Sequence, residues 1–182
     1  MQPSICVARV LFCGAALTAG TGLVFAQIKP TVAKPDVKSP QARDPRTGTW
    51  QLSVAKSTYK PGPAPKSQVV RIEPSGQGER VRSEALNTNG TKVVTEYTAA
   101  FDGTDYPLRG SPVANTVSLK RIDARTTERV DKKDGHVMLV YKRVVSADGK
   151  TMSVTINGVN AQGQQVSNVV VFERAQPRPG TH

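Results

Sequence analysis

Two histidines, two cysteines and fourteen carboxylates are the supply of side chains for acid–base or metal chemistry in this chain. His136 follows an Asp134-Gly135 turn and His182 is the last residue, and neither has a neighbour in sequence that could orient it as a general base. His136 reads as a surface histidine at the start of a strand. Asp102 and Asp105 come nearest to a carboxylate pair, but they flank Gly103 and precede Tyr106-Pro107, where turn formation accounts for both. No Asp-x-Asp-x-Asp-Gly series suits calcium, and no Cys or His spacing suits zinc. The expectation is therefore a non-enzyme, with no catalytic residue, metal or cofactor. What remains is recognition. Tyr97, Phe101, Met138 and Tyr141 are the bulkier candidates to line an interior, together with Phe172, and Arg121 and Arg143 are the cations to meet a ligand carboxylate.

The elements that must position these residues announce themselves through turns. Gly76-Gln77-Gly78, Asn89-Gly90, Asp102-Gly103, Asp134-Gly135, Asp148-Gly149 and Asn157-Gly158 with Gln162-Gly163 recur between short alternating runs. Such dipeptides tolerate positive φ and suit the tight turns between antiparallel strands. Asn89-Gly90-Thr91 also spells a glycosylation sequon, but the turn explains it better. Strands are expected at 49–53, 67–73, 80–86, 92–102, 116–123, 126–132, 136–146, 151–157 and 165–174, with a short one at 104–108. Period 2 is plain in Val93, Thr95, Tyr97, Ala99 and Phe101 and again in Met152, Val154 and Ile156. No window carries a sustained helical stripe. So many antiparallel strands close most readily into a barrel, which removes both sheet edges. The fold class expected is all-β, a single antiparallel up-and-down β-barrel of about 8–10 strands.

Flanking segments read differently. Arg9 precedes an apolar stretch from Val10 to Phe25, and Val24-Phe25-Ala26 supplies a signal-peptidase site, so residues 1–26 read as a cleaved signal peptide and the mature chain as periplasmic or secreted. Both cysteines, Cys6 and Cys13, leave with it, and no transmembrane segment remains. Residues 27–46 carry prolines at 30, 35, 40 and 45 and read as a flexible, solvated linker. The barrel domain is expected over 47–175, a monomer, and a flexible tail over 176–182. The connection Val54 to Lys66, rich in proline, is long enough to cross a barrel mouth as a lid, or to be an irregular surface loop anchored by Tyr59.

The formal net charge is +11. With Lys120-Arg121, Lys132-Lys133 and Lys142-Arg143 on strands, a second reading is a basic module for an anionic envelope surface such as lipopolysaccharide, acidic polysaccharide or anionic lipid. Nucleic acid is not expected, because export removes it and base-stacking aromatics interleaved with Arg and Lys are missing.

Two resemblances follow from the residues. Gly48-Thr49-Trp50 at the first strand and Phe172-Glu173-Arg174 at the last resemble the calycin superfamily of lipocalins and fatty-acid-binding proteins, which implies that Trp50 plugs one end of the barrel with Arg174 packed over its ring. More extensively, the chain resembles a largely uncharacterised family of small exported bacterial lipocalin-like proteins. The residues that carry this include Gly48 to Leu52, Ala55-Lys56-Ser57, Pro61 to Ser67, Phe101 to Pro107, Thr116 to Arg121 and Asp148 to Met152. This resemblance implies export and a β-barrel, and it brings no activity; the first functional reading, a small apolar ligand in the lumen, rests on a barrel of this strand number lined with modest side chains. Pro61, Pro63 and Pro65 stand where fatty-acid-binding proteins carry a helix pair.

Overall fold

Alternation of apolar and polar residues produces ten antiparallel strands in the computed structural model, which describes residues 44–176. They are β1 (Gly48–Leu52), β2 (Ser67–Ser75), β3 (Gly78–Leu86), β4 (Lys92–Ala100), β5 (Tyr106–Arg109), β6 (Thr116–Arg121), β7 (Thr126–Lys133), β8 (His136–Val145), β9 (Thr151–Val159) and β10 (Gln165–Arg174). Each strand pairs with the next, and β1 pairs with β10, so the sheet is a closed up-and-down barrel. The seam register places Trp50 opposite Arg174 and Leu52 opposite Phe172. Expected strand limits differ from the observed ones mainly at their ends, where pairing rather than composition decides. The exception is Asn157-Gly158, expected as a turn, which lies inside β9 with Gly158 opposite Val166 and Leu139, the turn falling instead where Gly163 N–H donates to Asn160 O.

Because side chains alternate across the sheet, one parity of each strand faces inward. Trp50, Ile72, Ala99, Val117, Leu119 and Val145 are buried and fill the end of the barrel nearest the chain's entry. Full removal of an indole and several aliphatic side chains from water is the main favourable term, at roughly 1.5–3 kcal/mol for each large side chain. The wall is irregular in two places. β4 meets β5 through Glu96↔Arg109 and Tyr97↔Leu108 alone, and below that the chain from Asp102 takes over through the bridge Asp102↔Lys120 and the Gly103 N–H donated to Leu119 O at 3.0 Å. The β7–β8 register shifts between Asp131 and Lys132, a bulge that re-aims the side chains around it.

β1 is short, so above it β10 lacks a strand partner on that side. The chain from Ser57 to Lys60 fills the place. Thr58 N–H donates to Val169 O at 2.7 Å, Thr58 O accepts from Val169 N–H at 2.9 Å, and Lys60 O accepts from Ser167 N–H at 2.8 Å. The expected irregular connection therefore opens with a 3₁₀ turn, Val54–Lys56, and continues as a strap on β10. Pro61, Pro63 and Pro65 offer no N–H with which to extend that ladder.

The domain boundary needs one correction. The packed chain reaches back to Asp44, ahead of the expected start at Thr47, because Arg46 is 1% exposed and its carbonyl accepts the Trp50 indole N–H at 2.8 Å. The expected signal peptide, both cysteines, the rest of the expected linker and the segment 177–182 with His182 lie outside the described residues.

Candidate functional site

Toward the other end, the interior is not filled. A cavity of about 110 Å³ lies in the lumen, with Val70, Val81, Val154, Val170 and Phe172 supplying apolar walls from β2, β3, β9 and β10. Its polar side comes from Arg129, Tyr141 and Arg143 on β7 and β8, with Gln68 and Ser83 opposite and Tyr59 reaching in from the strap. Gln68 Nε2 donates to Ser83 Oγ at 2.8 Å. The Tyr59 hydroxyl is buried and has no hydrogen-bond partner among the described residues, and burial pushes its pKa up to about 12.

Both cavity-lining cations are neutralised from behind. Arg129 makes a two-point contact with Asp131, Nε to Oδ1 at 2.6 Å and Nη2 to Oδ2 at 2.8 Å. Its guanidinium lies 4.7 Å from the Tyr97 ring centroid and 4.6 Å from that of Tyr141, so cation–π attraction adds to the ion pair. Arg143 pairs through Nη2 with Glu79 Oε1, the oxygen that also accepts the Tyr97 hydroxyl at 2.8 Å. Glu79, Asp131 and Arg143 are all nearly inaccessible. Burial opposes the charged form of each arginine, but Asp131 with the flanking tyrosines, and Tyr97 with Glu79, overcome it and raise both. Burial likewise drives the Tyr97 and Tyr141 phenols well above their usual range. Arg143 Nε and Glu79 Oε2 are buried without partners among the described residues.

Of the residues expected to line a lumen, Tyr141, Arg143 and Phe172 face the cavity, and Tyr97 is buried behind it. The others are elsewhere, and here the expectation is corrected. Met138 belongs to the parity of β8 opposite to Leu139, Tyr141, Arg143 and Val145, so it faces outward. Phe101 lies beyond the end of β4, with Arg46 and Arg121 each 4.6 Å from its ring centroid. Arg121 is exposed and donates to Asp44 Oδ2 at 2.9 Å, so it closes the entry end rather than meeting a ligand. At that same end the Arg174 guanidinium lies 4.2 Å from the Trp50 ring centroid, and its Nε and Nη1 donate to Gly149 O and Thr47 O.

Glu79, Arg129 and Asp131 were not singled out by sequence. Glu79 shares the parity of Val81, which would have marked it as inward. For Arg129 and Asp131 no such signal exists, because β7 reads Thr-Thr-Glu-Arg-Val-Asp-Lys-Lys and neither face is apolar.

No protein-family model matches the chain, and no curated protein matches it. Among solved structures, it is similar to zebrafish ileal bile acid-binding protein, crystallised in complex with cholic acid, at 10% sequence identity and a TM-score of 0.43; the match covers 72% of this chain and 99% of that one.

On the outer face, several charges are paired. Lys56 meets Glu173 at 2.7 Å, Lys92 meets Glu84 at 2.8 Å, and Lys132 meets Asp105 at 2.7 Å. Arg82 lies between Glu84 and Glu96. His136 is exposed at the start of β8. Among the described residues, no group of three or more His, Cys, Asp or Glu could hold a metal, and no helix is long and apolar enough to cross a membrane.

Proposed function

We propose that this chain is an exported, non-enzymatic barrel that binds a small, largely apolar ligand in its lumen. The observation that carries this is the cavity of about 110 Å³, walled by valines and Phe172 on most sides and by Arg129, Tyr141, Arg143 and Tyr59 on one. Apolar walls with a few convergent polar groups are the usual chemistry of a small-molecule site, since the walls supply transfer free energy and the polar groups supply orientation. A filled barrel would have satisfied Arg143 Nε and the Tyr59 hydroxyl internally, yet both are left without partners among the described residues. The leader at residues 1–26 supports export.

Size narrows the cargo. An engineered cavity of about 150 Å³ holds benzene, so this one suits a molecule of roughly four to five heavy atoms.

Native mass spectrometry of the protein purified from its own envelope fraction tests the reading. A stoichiometric small adduct is expected, and Val154→Phe, which fills the cavity from β9, should lose it. Protein that carries no adduct, and whose lumen resonances do not respond to small organic probes, would count against it.

A further inference from the structure

Given the lumen reading above, on which this inference rests, we propose that the cavity selects an uncharged polar head group, an amide or alcohol on a short apolar body, over a carboxylate. Two arginines facing a cavity would ordinarily indicate an anion. Here they do not, because Arg129 is matched by Asp131 through two hydrogen bonds and Arg143 is matched by Glu79. Arg129 and Arg143 are the only charged residues that line the cavity among the described residues, and each has its counter-ion directly behind it. The set of four is neutral. A bound carboxylate would add a negative charge with no cation left to match it, inside a wall that keeps Glu79, Asp131 and Arg143 at 3%, 1% and 6% exposure. Uncompensated charge is the least tolerated cargo of a dry interior.

What the cavity leaves unsatisfied fits a neutral group. Arg143 Nε is a donor without a partner among the described residues, and the Tyr59 hydroxyl can donate or accept. A primary amide brings one carbonyl acceptor and two N–H donors, and an alcohol brings an O–H donor and an acceptor oxygen, so either offers partners for such groups without adding charge. A carboxylate can accept from both as well, so what sets it apart is the unmatched charge it brings and not its hydrogen-bond count. The valine walls and Phe172 take the apolar body.

Propionamide and propionate have the same shape and heavy-atom count and differ in charge, so they separate the two head groups. The measurement is an NMR titration at neutral pH, following the methyl signal of Met152, which lines the cavity and is 1% exposed. Propionamide should shift it saturably, with a dissociation constant at least about tenfold below that of propionate, as expected when one ligand must bury an unmatched charge. Glu79→Gln, which removes the counter-ion of Arg143 and keeps the side-chain length, should reverse the order in favour of propionate. If Glu79→Gln does not fold, Asp131→Asn releases Arg129 in the same sense. Equal or tighter propionate binding by the unmodified protein overturns the neutral-head inference and leaves lumen binding standing. A Met152 signal that responds to neither ligand removes the lumen reading, and this inference with it.

Discussion

Glu79 on β3 and Arg143 on β8 are 64 residues apart in sequence and form a buried ion pair across the barrel, with the Tyr97 hydroxyl donating to the shared Glu79 oxygen. Such a pair contributes little net stability, because desolvating two charges offsets most of their attraction, but breaking it strands one charge. Glu79→Leu should therefore destabilise by about 3–5 kcal/mol in chemical denaturation, whereas Glu79→Leu with Arg143→Met should recover most of that loss. Additive losses in the double variant would show that the two side chains act independently.

Trp50 is completely buried beneath the Arg174 guanidinium, and its indole N–H is satisfied by Arg46 O at 2.8 Å. Trp50→Ala leaves a large void and an unpaired carbonyl at the packed end, so a loss of about 3–5 kcal/mol is expected. A urea midpoint unchanged by the substitution would show that the ring does not plug the barrel. Arg174→Lys keeps the charge but not the fork that reaches Gly149 O and Thr47 O, and should be measurably destabilising on the same scale.

Tyr59 separates stability from binding. Its hydroxyl is buried without a partner among the described residues, so Tyr59→Phe should leave stability unchanged or raise it by up to about 1 kcal/mol. Affinity for a small polar ligand should fall with the same substitution, because the cavity loses one of its free polar groups. A thermal melt and a probe titration on one preparation check both. The pH dependence has a defined sign as well. Burial raises this phenol from 10.0 to about 12, so its neutral form is favoured in the folded state, and the associated stability is present below pH 10 and lost as pH rises toward about 12. Tyr59→Phe should soften that alkaline decline.

Asp44 governs the acid side. Partial burial acts to raise its carboxyl, but the hydrogen bonds and charge of Arg46, with a hydrogen bond from Arg121, overcome this and hold it at about 2 against 3.8. A depressed carboxyl contributes stability that is present above 3.8 and lost as pH falls through about 2. Melting temperature against pH should fall less steeply over that window in Asp44→Asn, whose value at neutral pH should be lower than that of the unmodified protein. Parallel acid limbs would remove Asp44 from this role.

Gly78 begins β3 immediately after the β2–β3 turn, and a Cβ there would run into the Ala99 carbonyl and the Ala100 backbone of β4. Backbone cannot move aside as a side-chain tip can. Gly78→Ala should therefore cost about 2–4 kcal/mol, read as a lowered denaturant midpoint.

What the sequence by itself determined is the succession of strands and their closure. Period 2 in Met152, Val154 and Ile156 and the Asn-Gly and Asp-Gly turns are local signals, and a barrel built of hairpins needs few others. The same signal resolved Tyr141 and Arg143 only in part, since β8 carries valines on both faces and leaves its inward parity open. Tertiary structure alone decided the charge of the lumen. β7 has no apolar face to orient it, so the inward turn of Arg129 and Asp131 comes from its register against β6 and β8, including the bulge at Asp131/Lys132. Only barrel closure brings Glu79 to Arg143, and with that contact two apparent anion-binding arginines become half of a neutral set. Sequence reports side-chain types at local spacing, whereas charge matching is set by contacts between strands distant in the chain, and these exist only once the sheet has closed.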